Sequence, residues 1–497
     1  MSQRLVARGG ARLPFSLPFS LPISRVASLA VAVALTTLGV TAPAHATDAH
    51  FGFADLDGDG VADVVSVARV TTSDGARRTA FAVAYGSGAD VVVGASTSPT
   101  TMRSPVWGDF NGDGFDDVAA GITNRVNGVT GVRVGYGSAT GLRGFVTLLS
   151  SGVSIDPGTS LSGFGAALAA GDINGDGRDD VVVSAPMAKV VGLCSGSPCL
   201  VPRAGAVVVF AGSTGGLSTA AAAVYSQHSP GVPGRSETGD DFGNALVVAD
   251  ITGDSVDDVV VAAASDSSAV GGAPSLTLLP GSPSGVLGAI GGGQLLRSDV
   301  PSLQQSAWPI WLAAGDVDGD GAAEIIATTG RSSAARVVVI GTVGGLLDGT
   351  SGVVVYANQR PISHVVVGPL DTDGYADLAM SSVDKSNALR DVVVMKGSPS
   401  GPTNPTRYSL GDLGCAAGDV LAPGESLGVI DANDDNVGDL SLALGVDKSA
   451  DVVKVRAVRG GYSHLQIAKG SVRVLSTSTL VLPRSVLTVA ALGAAVG

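Results

Sequence analysis

Apolar residues in this chain come in short runs of about five, each ended by a polar or glycine-rich stretch. VVSVA begins at Val64, VVVSA at Val181, VVVAA at Val259 and LSLAL at Leu440. Runs of this length predict strands. Being apolar at consecutive positions rather than alternating ones, they predict strands packed on both faces. Shorter runs precede them, at Ala166–Ala170, Ala245–Ala249 and Val365–Val367. A further run follows and ends in a glycine turn: FAVAYGSG at Phe81, VRVGYGSATGL at Val132, VVVFAGSTGGL at Val207, LTLLPGSPSGVL at Leu276, VVVIGTVGGLL at Val337, VVVMKGSPSG at Val392 and the weaker VKVRAVRGG at Val453. A more variable fourth strand fits before the next cycle.

Between the first and second run of each cycle lies an acidic nonapeptide. Its copies are DLDGDGVAD (Asp55–Asp63), DFNGDGFDD (Asp109–Asp117), DINGDGRDD (Asp172–Asp180), DITGDSVDD (Asp250–Asp258) and DVDGDGAAE (Asp316–Glu324). Two degenerate copies follow, PLDTDGYAD (Pro369–Asp377) and DANDDNVGD (Asp431–Asp439). A period of roughly 64 residues implies one supersecondary unit per repeat. Four strands repeated seven times predict an all-β fold, a seven-bladed β-propeller of four-stranded antiparallel blades, with the acidic loops in blade hairpins. The repeats fall at approximately 47–100, 101–155, 156–233, 234–300, 301–358, 359–412 and 413–480. Ser471–Leu482 is expected to supply the last strand, and 481–497 form an apolar tail.

The loop chemistry points to calcium. Positions 1, 3, 5 and 9 present hard oxygens, position 6 is a turn glycine and position 7 offers a backbone carbonyl, which suits the ligand count of Ca2+ better than that of Mg2+. The expected ligands are Asp55, Asp57, Asp59, Val61 and Asp63; Asp109, Asn111, Asp113, Phe115 and Asp117; Asp172, Asn174, Asp176, Arg178 and Asp180; Asp250, Thr252, Asp254, Val256 and Asp258; Asp316, Asp318, Asp320, Ala322 and Glu324; Asp371, Asp373 and Asp377; and Asp431, Asn433, Asp435, Val437 and Asp439. Five to seven ions are expected. The fourth loop binds more weakly because of Thr252 and Ser255, and the sixth is least secure because Pro369 replaces its first acid. The loops are not EF-hands: strands flank them and no Glu stands at position 12.

Composition agrees. Gly is 71 of 497 residues, and only three of the 44 acids are Glu. Glu favours helices and Asp favours turns and metal loops, so a helical bundle is excluded. The formal charge of −14 and only six lysines disfavour nucleic acid. Of the 44 acids, 23 occupy the four acidic loop positions, so much of the charge belongs to sites rather than to a diffuse surface.

Residues 1–46 carry four arginines, an apolar run over Val26–Val40 and the small-residue site Ala44-His45-Ala46. This predicts a secretory signal peptide cleaved near Ala46, hence a secreted or cell-surface protein without a membrane span in the mature chain. Export suits a disulfide between Cys194 and Cys199, and Cys415 is left over as a buried thiol.

Repeat three gathers Phe164-Gly165, Ala169-Ala170-Gly171-Asp172 and Ser184-Ala185-Pro186. Repeats four and one keep Phe242-Gly243 and Phe51-Gly52. On these residues, over about 47–470, the chain resembles the FG-GAP repeat proteins and the seven-bladed propeller heads of integrin α subunits. The resemblance implies that the acidic loops join strands one and two of each blade, all on one face. The insertions Met187–Arg203 and Gln227–Asp241 then belong to the opposite face, where ligand binding is expected; deleting Val190–Leu200 is expected to abolish it without unfolding.

No G-x-S-x-G, H-E-x-x-H or G-K-[ST] motif occurs, and the five histidines form no recognisable cluster. Two function classes remain. The first is a non-enzymatic calcium-stabilised binding or adhesion module for an extracellular protein or glycan, monomeric. The second is a polysaccharide-active lyase or hydrolase on a propeller scaffold.

Overall fold

The computed structural model describes residues 54–476 apart from short internal stretches, the longest being 298–310 and 459–471. The chain divides into two units, Met1–Ala46 and Thr47–Gly497. The first unit, the Phe51-Gly52 pair, Cys415 and the 481–497 tail lie outside the described residues.

The described chain is all-β, with antiparallel strands and two short 3-10 turns, Ser150–Gly152 and Thr219–Ala221. Each acidic loop has its own sheet, built of strands that pair in sequence order. The second sheet runs Thr100–Gly108, Asp117–Asn124, Thr130–Tyr136, Arg143–Leu149. The third runs Leu168–Gly171, Asp180–Ala185, Ala206–Phe210, Ala223–Tyr225. The fourth, fifth and sixth sheets repeat this four-strand order. The first shows three strands, preceded by an isolated bridge between Ala54 and Asp63. The last gains a fifth, Val420–Leu421, beside Asp439–Gly445. Its outer strand, Val472–Ser476, falls within the segment expected to supply the final strand.

Consecutive apolar positions are buried on both faces, as their pattern requires: every residue of Asp180–Ala185 and of Ala206–Phe210 is buried. The cores lie between neighbouring sheets. Val132, Val134, Phe164, Val181, Val183, Val208 and Phe210 fill the space between sheets two and three. Phe242, Val259, Val261 and Val207 do the same between three and four. Burying one such side chain contributes roughly 1.5–3 kcal/mol.

The Phe-Gly pair has two jobs here. Phe164 enters the core, 1% exposed. Gly165, at φ +79°, lets its backbone approach the neighbouring sheet, where a Cβ on Gly121 would lie 2.0 Å from the Gly165 carbonyl oxygen.

The first strands of sheets two to seven pack side by side in chain order. Together they line a cavity of about 250 Å³, faced by Trp107, Leu168, Leu246, Leu312, Val365 and Val429. Sheets stacked face to face with their first strands around one space make a propeller-like fold.

Candidate metal centres

All the acidic loops for which both flanking strands are described join the first strand of a sheet to its second, as expected. Their conformation is built on carboxylates accepting backbone N–H groups. Position 1 closes the turn: Asp55 accepts from Gly58 at 2.7 Å and Gly60 at 3.0 Å. Asp109 accepts from Gly112, Asp113 and Gly114, and Asp316 from Gly319, Asp320 and Gly321. Position 5 caps position 7, as Asp59 does for Val61 and Asp113 for Phe115. These are the local side-chain bonds for which Asp is suited in turns.

Position 9 ties the loop to its own sheet. Asp63, Asp117, Asp180, Asp258, Glu324, Asp377 and Asp439 are all at most 5% exposed. Asp63 accepts from Leu56 at 2.8 Å and from Gly86 at 2.8 Å. The same bond from the glycine turn recurs from Gly137 to Asp117, Gly212 to Asp180, Gly281 to Asp258 and Gly397 to Asp377. Burial, with neighbouring carboxylates adding to it, pushes Asp63 and Asp180 up to about 7 and Asp117 and Glu324 up to about 8. Removing a carboxylate from water disfavours its charged form unless a cation compensates.

In two loops the carboxylates converge. Oxygens of Asp55, Asp57 and Asp63 lie within 4.8 Å of one another, as do those of Asp316, Asp318 and Asp320. Asp59 and Glu324 stand outside these triads. Loops two to four carry Asn111, Asn174 and Thr252 at position 3 and form no carboxylate triad among the described residues. In loop three, Asn174 Nδ2 donates to both oxygens of Asp180, while its buried Oδ1 has no partner. That orphaned acceptor at a ligand position, and the triads of hard oxygens, fit a calcium ion. In the same loop Arg178 pairs with Asp176 at 2.6 Å. Of the seventh loop, Asp431, Asn433 and Asp435 lie outside the described residues; Val437 and Asp439 are buried.

The loops also hold one another, which the spacing alone did not reveal. The N–H at position 8 of each loop donates to the position-1 carbonyl of the loop before it: Asp116 to Asp55, Asp179 to Asp109, Asp257 to Asp172, Ala323 to Asp250, Ala376 to Asp316 and Gly438 to Pro369. In three links the position-8 carboxylate returns the bond, accepting from the N–H of Asp55, Asp109 and Asp172. The side chain at position 7 covers the position-4 glycine of the preceding loop. A Cβ on Gly58 would lie 2.5 Å from Phe115, and one on Gly319 would lie 2.5 Å from Tyr375. The doubled acid of D-D at positions 8 and 9 in repeats two to four was the available signal.

At the other end of sheet three, the connection between its second and third strands forms a hairpin, Val190–Cys194 with Ser197–Val201, closed by the Cys194–Cys199 disulfide. Leu193 and Leu200 are exposed on it, and Met187 is exposed in the turn that precedes it. Arg203 pairs with Asp241, joining the two insertions. Val190 and Val201 are buried in the core between sheets two and three. Deletion of Val190–Leu200 would therefore cut the core, contrary to the expectation that it spares the fold.

Sheets stacked with their first strands around one space define the class, an all-β propeller-like protein, and part of the chain has sequence relatives. Residues 164–210 match the model described as FG-GAP repeat. Over 167 residues the chain is 35% identical to integrin alpha pat-2 of Caenorhabditis briggsae. That match covers 31% of this chain and only 12% of the length of that curated relative. Residues 164–210 thus carry an FG-GAP repeat, and part of the chain is similar in sequence to an integrin α subunit. Among solved structures it is similar to a rhamnogalacturonan lyase of Bacillus licheniformis, at 14% identity over 83% of this chain and 70% of that one, with a TM-score of 0.36. It is also similar to AofleA from Arthrobotrys oligospora, at 10% identity over 77% of this chain and 91% of that one, with a TM-score of 0.38. Similarity at this level assigns no activity to this chain. Among the described residues no helix is long and apolar enough to cross a membrane.

Proposed function

We propose that this chain is a secreted, calcium-stabilised propeller of seven blades that serves as a non-enzymatic binding module for an extracellular protein or glycan. The observation that carries the calcium reading is the convergence of Asp55, Asp57 and Asp63, and of Asp316, Asp318 and Asp320, within 4.8 Å. The ions would sit in the hairpins of one face and hold it rigid, with no part in chemistry. Similarity to an integrin α subunit supports an extracellular binding role.

The surface for the partner is the opposite end of the sheets, where Leu193 and Leu200 on the disulfide-closed hairpin and Met187 just before it are exposed. Apolar side chains held out on a pinned hairpin suit a protein partner. Pull-down from the native surroundings with and without calcium, alongside a glycan array, tests the reading. Replacing Leu193 and Leu200 with Ser, which leaves Val190 and Val201 in place, should weaken capture at least tenfold. Undiminished capture by a folded variant would remove the hairpin from the interface.

A further inference from the structure

We propose that Lys396 Nζ is the resident cation of the sixth acidic loop, so that this loop takes no divalent ion. The proposal sharpens the calcium reading above and rests on it only where ions are counted.

The residue immediately before the turn glycine is Tyr85, Tyr136, Ala211, Pro280 and Ile340 in the first five repeats. In the sixth it is Lys396 and in the seventh Arg459, the two basic residues at this position. The sixth is also the loop whose position-1 acid is missing, replaced by Pro369. Loss of an anion and gain of a cation thus fall in the same repeat.

The geometry joins the two changes. Lys396 follows the strand Leu389–Met395 and precedes Gly397, whose N–H donates to Asp377 Oδ1 at 2.9 Å. From there Nζ reaches the loop and pairs with Asp371 Oδ2. The Asp371 side chain is 4% exposed and that of Lys396 is 40% exposed. Asp371 Oδ1 accepts the N–H of Asp373 at 3.0 Å, so both oxygens of this buried carboxylate are engaged. A buried carboxylate needs a partner. Divalent calcium needs six or more oxygens, and a loop without its first acid offers fewer. A single ammonium, a compact charge with three donors, answers a smaller demand. In the first and fifth loops no side-chain cation is paired with the carboxylate triads among the described ion pairs.

The test is acylation of lysine amines by acetic anhydride, read by peptide mass spectrometry on the full chain. Lys396 should react at least threefold more slowly in the native chain than in Asp371→Asn, and at the same rate in calcium as in chelator. Equal rates in the two proteins, or acceleration of Lys396 by calcium in the native chain, would overturn the proposal. Equilibrium dialysis should find as many calcium ions on Asp371→Asn as on the native chain; loss of one would also overturn it. A native chain that binds no ion would sink the calcium reading of the other loops, while the labelling comparison still decides the role of Lys396. Should Asp371→Asn fail to fold, Lys396→Met decides. It leaves Asp371 without its cation and should melt about 3 °C or more below the native chain in chelator; an unchanged melting point would refute the assignment.

Discussion

The N–H of Asp109 donates to Oδ2 of Asp179 at 2.8 Å, across 70 positions of sequence. Asp179 in turn donates its own N–H to the Asp109 carbonyl at 3.1 Å. One residue of loop three thus satisfies both backbone groups of the first residue of loop two. The exchange recurs between Asp116 and Asp55 and between Asp257 and Asp172. Removing the carboxylate leaves a half-buried amide without its acceptor, which costs about 1–3 kcal/mol. Asp179→Ala should therefore lower stability by that amount in urea unfolding, although Asp179 is not among the expected ligands. A variant as stable as the native chain would show that the link is dispensable.

A second bridge between sheets uses tyrosine. Tyr85 directly follows the strand Arg77–Ala84 of sheet one, and its hydroxyl oxygen accepts the N–H of Leu142 in the turn of sheet two at 2.8 Å. Tyr136 does the same for Leu217 at 3.0 Å. Burial, with the nearby Asp63 charge as a smaller contribution, pushes the Tyr85 phenol from about 10 up to about 12. The folded state therefore holds this proton where the unfolded chain releases it. Stability contributed through Tyr85 is present below pH 10 and is lost as pH rises from about 10 to about 12. Tyr85→Phe should cost about 1–3 kcal/mol at neutral pH. It should also make the alkaline loss of stability shallower, measured by thermal melts between pH 9 and 12. An equally steep loss in the variant would assign that titration to other groups.

How far the fold was legible follows from these cases. The strands were readable because apolar runs and glycine turns are local signals, and the loops were readable because seven copies stand in one register. The inter-loop bonds were not, because they join residues 60 to 85 positions apart in sequence. Nothing local distinguishes the Asp at position 8 from its neighbour at position 9. Lys396 was hidden for the same reason: its partner lies 25 residues earlier, on the other side of two strands. The exposed insertion was located correctly, but its ends were not. Val190 and Val201 look like ordinary strand residues in sequence, and only packing makes them core.

Two glycines separate steric from conformational demand. At Gly121 a Cβ would meet the carbonyl oxygen of Gly165 at 2.0 Å, and backbone cannot rotate away as a side chain can. At Gly177 there is no atom within 4 Å, but φ is +81°. Gly177→Ala should cost about 1–2 kcal/mol, the strain of a left-handed residue. Gly121→Ala forces neighbouring sheets apart and should cost more, about 3 kcal/mol or above. Chemical denaturation of both variants checks the order; equal losses would mean that the sheets yield to the added methyl.

Calcium removal tests the largest consequence of the loops. Without an ion, the buried position-9 carboxylates of the first two loops stand beside other acids and accept from backbone amides. An ion that binds the folded loop and not the unfolded chain stabilises by mass action, about 2.7 kcal/mol per site at a hundred times its dissociation constant. The inter-loop bonds spread that gain, because ordering Asp55 also orders Asp116 in the next loop. The melting temperature in excess chelator should therefore fall steeply and recover on adding calcium. Asp55→Asn and Asp316→Asn should each reduce the recovery, because each removes a carboxylate from a converging triad. A melting curve identical in chelator and in calcium would mean that these acids are structural turn residues, held by the backbone alone.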